Sequence, residues 1–365
     1  MPSIWNNGIQ ISIFGESHST AIGVVIDNLP AGEPIDMDAV REFLRRRQAK
    51  SDGTTTSRIE PDRPEILSGL IDGHTTGTPL CMMIKNTNVR SGDYRNVQTT
   101  ARPGHADYTG YEKYHGANDI RGGGHFSGRL TACMVMAGAV CGQILERRGI
   151  YAGAHLLSVG EIQDQKCDPI YTSKQDILNM RQLPFPVIQE EKRESIIQCI
   201  NKARMNLDSV GGVVECIAIG MPAGIGGPIF QNLESMMASF LFSIPGVKGV
   251  EFGEGFHAST LLGSQNNDPF YMDGDQVKTR TNRHGGILGG ISSGMPIPFR
   301  VAFKPTPSIA QSQNTVDFVA KQDTVLSIVG RHDPCIAVRA VPVVEAACNI
   351  VLLSAMVNEK GLCGW

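Results

Sequence analysis

The chain has 365 residues, with 33 Lys and Arg against 36 Asp and Glu for a formal charge of −3, and 41% of it is hydrophobic. That is enough to bury a large core as one or two domains. Charged residues at 19% and 41 glycines exclude a disordered chain and a polyelectrolyte binder, and they point to many tight turns.

In chain order, strand-like runs at 9–14, 23–26, 80–84 and 213–219 recur between turn signals. Over 36–47, Val40, Phe43, Leu44 and Arg47 share a helical stripe, with Asp36 and Asp38 at the start and Arg45, Arg46 and Arg47 at the end, as the helix dipole favours. A further helix is expected over 195–205. Stretches 129–148 and 343–357 are apolar on nearly every face and rich in Ala, which predicts two central helices buried between layers. Each follows a segment of glycines and basic residues, so the two halves of the chain resemble each other. The expected fold is α+β with the two helices sandwiched between sheets and internal pseudo-duplication, and residues 1–365 are read as one domain.

Nine scattered cysteines contain no Cys-x-x-Cys pair, so neither a disulfide framework nor a zinc site is expected. No Lys or Arg precedes Arg41; no leader peptide is expected, and the protein is placed in the cytoplasm. The longest uncharged apolar stretch, 130–145, falls short of the ~20 residues a spanning helix needs, so no membrane association is expected. Aromatics at 6% without basic and aromatic interleaving argue against nucleic acid as a partner.

Catalytically capable residues are concentrated in five glycine- and proline-rich segments. They are 14–20 with His18; 102–108 with Arg102, His105 and Asp107, Tyr94 and Arg95 standing just upstream; and 121–129 with three glycines, His125 and Arg129. The other two are 281–308, with its paired glycines and Lys304, and 330–335, with Arg331, His332 and Asp333. Glycines at a helix start beside arginines make an anion site, and the histidines can transfer protons. No metal-ligand spacing, nucleophile elbow, Walker loop or dinucleotide fingerprint competes. The residues alone give an enzyme handling an anionic, doubly phosphorylated ligand, and stop short of a reaction.

The same segments, in this order and spacing, resemble the chorismate synthase family over essentially the whole chain. The matching motifs are Phe14-Gly15-Glu16-Ser17-His18, Arg102-Pro103-Gly104-His105, Arg121-Gly122-Gly123-Gly124, Val247-Lys248-Gly249-Val250, Gly285-Gly286-Ile287-Leu288 and Gly330-Arg331-His332-Asp333. The resemblance implies conversion of 5-enolpyruvylshikimate 3-phosphate to chorismate and phosphate by 1,4-elimination, with reduced FMN as a cofactor that undergoes no net redox change. It implies that His18 protonates the leaving phosphate, that His105 acts as an acid near the flavin, and that Asp333 helps draw a proton from it. Substrate phosphate and carboxylates fall to Arg47, Arg129 and Arg331. FMN falls to His125, Phe126, Ser127, Pro245, Gly246, Gly289, Lys304, Pro305, Thr306, Pro307, Ser308 and Arg331. The resemblance further implies a layered β-α-α-β sandwich assembled as a homotetramer, and an external flavin reductant, with NADP as the associated nicotinamide. His125-Phe126 stands where the family commonly has Arg-Ser, Pro245-Gly246 where it has Asn-Ala, Gly53 where it has an arginine, and Leu130 where it has a glutamate. A non-catalytic binder of flavin or a phosphometabolite is the competing expectation.

Overall fold

The computed structural model describes residues 3–50, 52–56, 60–88, 98–328 and 332–361. The first sheet has five antiparallel strands in the order Ile4–Asn7, Ile9–Gly15, Ala21–Asp27, Leu80–Lys85, Glu65–Ser68. Its alternation is a direct consequence of sequence: Ile9 and Ile11, then Ile22, Val24 and Ile26, then Leu80, Met82 and Ile84 all turn to the core. Across the ladder Ile22 faces Ile84 and Ile26 faces Leu80, pairing branched side chains on one face. The second sheet, also antiparallel, runs Val247–Phe252, Ile297–Phe303, Gly212–Ile219, Tyr151–Val159, Ile162–Gln163. Tyr151–Val159 is buried along nearly its whole length, because the strand also packs against two outer helices, Lys174–Arg181 (α4) and Glu190–Met205 (α5).

Between the sheets lie Thr131–Glu146 (α3) and Ala337–Lys360 (α8), each touching strands of both. They are apolar all round because nearly every face is covered; Gly128–Glu146, which contains α3, and Ala337–Lys360 are each long and apolar enough to cross a membrane, and both are buried inside the fold. They approach so closely that a Cβ on Gly138 would lie 2.3 Å from the Cβ of Ala346, and one on Gly142 would lie 2.6 Å from Asn349 Nδ2. Asn349 Nδ2 instead donates to the Gly138 carbonyl at 3.2 Å. Each half of the chain thus supplies a five-stranded sheet followed by one central helix, which is the β-α-α-β order expected from the twin apolar stretches.

Met37–Arg47 (α1) begins where expected: the Asp36 carboxylate accepts from the Asp38 and Ala39 amides at 2.8 and 3.3 Å. Two helices begin earlier than their patterns suggest. α5 starts at Glu190 rather than 195, and α8 starts at Ala337 rather than 343, with Pro342 inside it. A proline within the first two turns forfeits one backbone bond, and this loss is absorbed because Pro342 is buried against the rest of the core. The strands Tyr151–Val159 and Ile297–Phe303 have no alternation to betray them, since both of their faces are covered.

Candidate active site

A cavity of ≈ 990 Å³ opens where the C-terminal end of α1, the turns at 102–106 and 122–131, the 303–308 segment and the start of α8 meet. That volume is at the upper end for a small-molecule site. One wall is apolar, formed by Trp5, Ile13, Met134, Phe240, Ile244 and Phe303. The other is charged.

The charged wall is built on Arg47 and Arg129, whose side chains are only 4% and 6% exposed. Arg47 is the last residue of α1 and lies on the stripe of Val40 and Leu44, so helix geometry carries it inward. Its Nε donates to Thr131 Oγ1 at 2.8 Å and one Nη to the Gly128 carbonyl at 2.7 Å. Arg129 Nε donates to Asn86 Oδ1 at 3.1 Å, and its Nη1 pairs with the Asp62 carboxylate, which also lies 3.6 Å from Arg47 Nη1. Arg47 Nη1 and Arg129 Nη2 are buried with no hydrogen-bond partner among the described residues. Burial, with Arg339 nearby, pushes the Arg47 guanidinium down to about 9. Buried N–H groups with no acceptor are costly, and an anion entering the cavity would satisfy them.

His105 occupies the same wall. Its Nδ1 lies 2.7 Å from Asp107 Oδ1, and Asp107, first residue of Asp107–Tyr114 (α2), is gripped by Arg102 through Nε at 2.7 Å and Nη2 at 2.6 Å. Arg102 Nη2 also lies 3.1 Å from Nδ1, so the carboxylate and the guanidinium together hold that edge of the ring and leave Nε2 facing Gly123. A Cβ at Gly123 would lie 3.3 Å from Nε2, so the absent side chain keeps this edge open. Burial lowers the His105 pKa, with Asp107 opposing and Arg102 and Lys304 adding to the effect. Burial would raise Asp107, but the bonds from Arg102 and His105 hold it well below the usual carboxylate range.

Gly122, Gly123 and Gly124 all have positive φ, at 63°, 83° and 55°, a run that only glycine adopts at little cost. A Cβ on Gly122 would meet Ser17 Oγ at 2.6 Å and His18 Nε2 at 2.8 Å. His18 is therefore buried immediately behind a glycine that itself lines the cavity. Asp333 sits across from it all at the entry to α8, where Oδ1 accepts from the Thr56 amide at 2.8 Å and Oδ2 from Arg339 Nη1 at 2.9 Å. Thr306 Oγ1 donates to the Asp333 carbonyl at 2.7 Å, and Arg102 Nη1 donates to Ser308 Oγ at 3.2 Å, so the 303–308 segment ties the two halves of the site together.

The fold brings Arg47, Arg129, His105, Asp333, His125, Phe126, Ser127, Pro245, Gly246, Lys304, Thr306, Pro307 and Ser308 to this one cavity. Pro305 is not among its lining residues and packs beside Gly211. Gly289 lies on the turn of the hairpin formed by Ile287–Leu288 and Ile291–Ser292, away from the lining. Arg331, with Gly330, Tyr94 and Arg95, lies outside the described residues. Both ring nitrogens of His125 are engaged within the chain, Nδ1 with the Gly15 carbonyl and Nε2 with Ser3 Oγ, each at 2.8 Å. Phe126 packs on Gly110 and sits 6.4 Å from the Tyr114 ring. A Cβ at Gly246 would lie 2.5 Å from Ile336 Cδ1, and one at Gly53 would lie 3.0 Å from Arg204 Nη1.

Sequence reasoning missed Asp62 and Arg339, which position the arginines and Asp333. Arg339 carried a usable signal: it is the third residue of α8, where the helix dipole disfavours a cation. Asp62, in left-handed backbone with φ 41°, carried none. Taken as a whole, spare guanidinium donors beside apolar lining residues fit a multiply anionic ligand with an apolar body.

A family model described as chorismate synthase matches residues 9–357. A chorismate synthase of Dehalococcoides mccartyi is 47% identical over 343 residues, covering 94% of this chain and 93% of the relative. One of Thermococcus kodakarensis is 43% identical over 352 residues, covering 96% and 97%. A crystal structure of chorismate synthase superposes with a TM-score of 0.74 at 29% identity, over 97% of this chain and 93% of that one.

Proposed function

Because the chain belongs to the chorismate synthase family, we propose that it is a carbon–oxygen lyase converting 5-enolpyruvylshikimate 3-phosphate to chorismate and phosphate. The observation that carries this reading is the pair of buried guanidinium nitrogens on Arg47 and Arg129 that find no hydrogen-bond partner among the described residues. They are matched to the phosphate and carboxylates of a multiply anionic substrate, and Arg331 is proposed to join them.

Reduced FMN, when bound, supplies transient electron donation to the substrate and is recovered in its starting state. The apolar wall offers a surface for its ring, and the proposed contacts are His125, Phe126, Ser127, Pro245, Gly246, Lys304, Thr306, Pro307 and Ser308, with Arg331. His18 gives a proton to the departing phosphate oxygen, which balances the charge that builds as the carbon–oxygen bond breaks. His105, held at Nδ1 by Asp107 and Arg102, presents Nε2 to the ligand. Asp333, oriented by Thr56 and Arg339, accepts a proton on the flavin side of the cavity. The working protein is proposed to be a single-domain, cytoplasmic homotetramer whose flavin is reduced externally, with NADP as the associated nicotinamide.

The test is anaerobic mixing of the protein with chemically reduced FMN and substrate while chorismate absorbance is followed. Many turnovers from one reduction are expected. Binding of both ligands without turnover would overturn the assignment in favour of a binding protein.

A further inference from the structure

A second polar cluster lies on the outer face of the second sheet. His155 and Glu215 face each other across neighbouring strands, and Arg300 is Glu215's partner on the next. His155 is fully buried, and Cys167, from the loop that crosses this face, closes the group. Among the described residues, one nitrogen of His155, Cys167 Sγ and one oxygen of Glu215 lie within 4.8 Å of one another. His155 Nε2 is 3.1 Å from Glu215 Oε2, which also accepts the Cys167 amide at 2.7 Å. On the other side of the ring, Asp164 Oδ2 stands 3.3 Å from Nδ1, and that nitrogen has no properly aligned hydrogen-bond partner. Asp164 is itself pinned by the amides of Ile188 and Gln189 at 2.6 and 3.0 Å.

We propose that His155 Nε2, Cys167 Sγ and Glu215 form a binding site for a borderline-soft divalent ion of the Zn²⁺ class, with Asp164 holding the imidazole from behind. One nitrogen, one sulfur and one carboxylate oxygen are the donors such an ion selects, and a carboxylate on the far imidazole nitrogen is the usual support for a metal-bound histidine. Tetrahedral coordination at ~2.0–2.3 Å needs donors roughly 3.3–3.8 Å apart, so the cluster must contract by about 1 Å at its widest. Two carboxylates already face the ring, Glu215 at 3.1 Å from Nε2 and Asp164 at 3.3 Å from Nδ1, so negative charge to balance an incoming cation is in place. Arg300 Nη1 lies 4.0 Å from Glu215. The ion would clamp the 164–168 loop onto the sheet, remote from the cavity, and so serve stability rather than turnover. The cysteine spacing gives no hint of it, because the ligands come from three separate segments.

The test is a titration of the metal-stripped full-length protein with Co²⁺ alone. One ion per chain is expected, with a thiolate-to-cobalt charge-transfer band and the intense visible bands of a tetrahedral ion, both abolished by Zn²⁺. Cys167→Ser, at a partly buried loop position, should remove the charge-transfer band with the circular dichroism unchanged. Asp164→Asn should keep the band but weaken affinity about 10- to 100-fold. No stoichiometric binding by the wild type, or an unaltered charge-transfer band in folded Cys167→Ser, would overturn the proposal.

Discussion

Arg46 and Arg47 are neighbours in the last turn of α1, yet they enter clusters of opposite character. Arg46 reaches Glu345, fully buried in α8, at 2.7 Å, and Arg181 meets the same carboxylate at 2.8 Å while also pairing with Glu146 at 2.6 Å. Two cations there meet two carboxylates. Burial would lower the Arg181 pKa, but Glu345 and Glu146 outweigh it and raise it. Arg47, by contrast, shares Asp62 with Arg129 and has Arg339 beside it, and burial with that repulsion pushes it down to about 9. Three arginines there face Asp62 and Asp333. The first cluster balances its charges two against two, although Arg46 Nη1 and Glu345 Oε1 also lack a hydrogen bond among the described residues, and it holds helices together; the second sets three guanidinium groups against these two carboxylates beside an open cavity that an anion can enter.

The comparison can be broken at either end. The largest effect is expected from Arg129→Gln, which should lower kcat/KM for chorismate formation by about 10³-fold or more while the melting temperature moves little, since multiple fixed charge-assisted bonds to substrate are lost. If stability collapses and kcat/KM per folded molecule does not, the two clusters have been assigned the wrong way round. Glu345→Gln should do the reverse, costing about 3–5 kcal/mol of unfolding free energy because two buried guanidinium groups lose their shared carboxylate. Urea unfolding measures it, and activity per folded molecule should persist.

Inorganic phosphate sharpens the contrast. At about 100 times its dissociation constant it should stabilise the wild type by ~2.7 kcal/mol, read as a rise in melting temperature that Arg129→Gln diminishes and a Glu345 variant retains. The smallest effect is in pH. Burial depresses the His105 pKa below its ordinary 6.5, so the unfolded chain takes up its proton before the folded one does. Folding stability is therefore complete above 6.5 and is lost as pH falls below it, by at most ~1.4 kcal/mol per pH unit. His105→Gln should remove that part of the slope between pH 6.5 and 5. The difference between the two unfolding curves cancels other titrating groups, and parallel curves would mean the ring is not held as the geometry shows.

Much of this was legible in the residues themselves. Turn-bounded apolar runs placed three of the first sheet's five strands, Asp36 marked the start of α1, and helical spacing put Arg47 on the stripe of Val40 and Leu44, because helical periodicity depends only on neighbours three and four positions away. The unbroken apolar stretches gave the two central helices for the same local reason. What only the tertiary structure decided was pairing: that Arg46 meets Glu345, that Asp62 stands between Arg47 and Arg129, that Arg339 orients Asp333. These partners come from separate elements of the fold, and two ions attract strongly only when the closed fold brings them within a few ångströms and strips away the water between them. No local pattern encodes that distance. The sequence therefore showed which residues could do chemistry, and the packing of two sheets about two helices selected which of their charges were left unpaired.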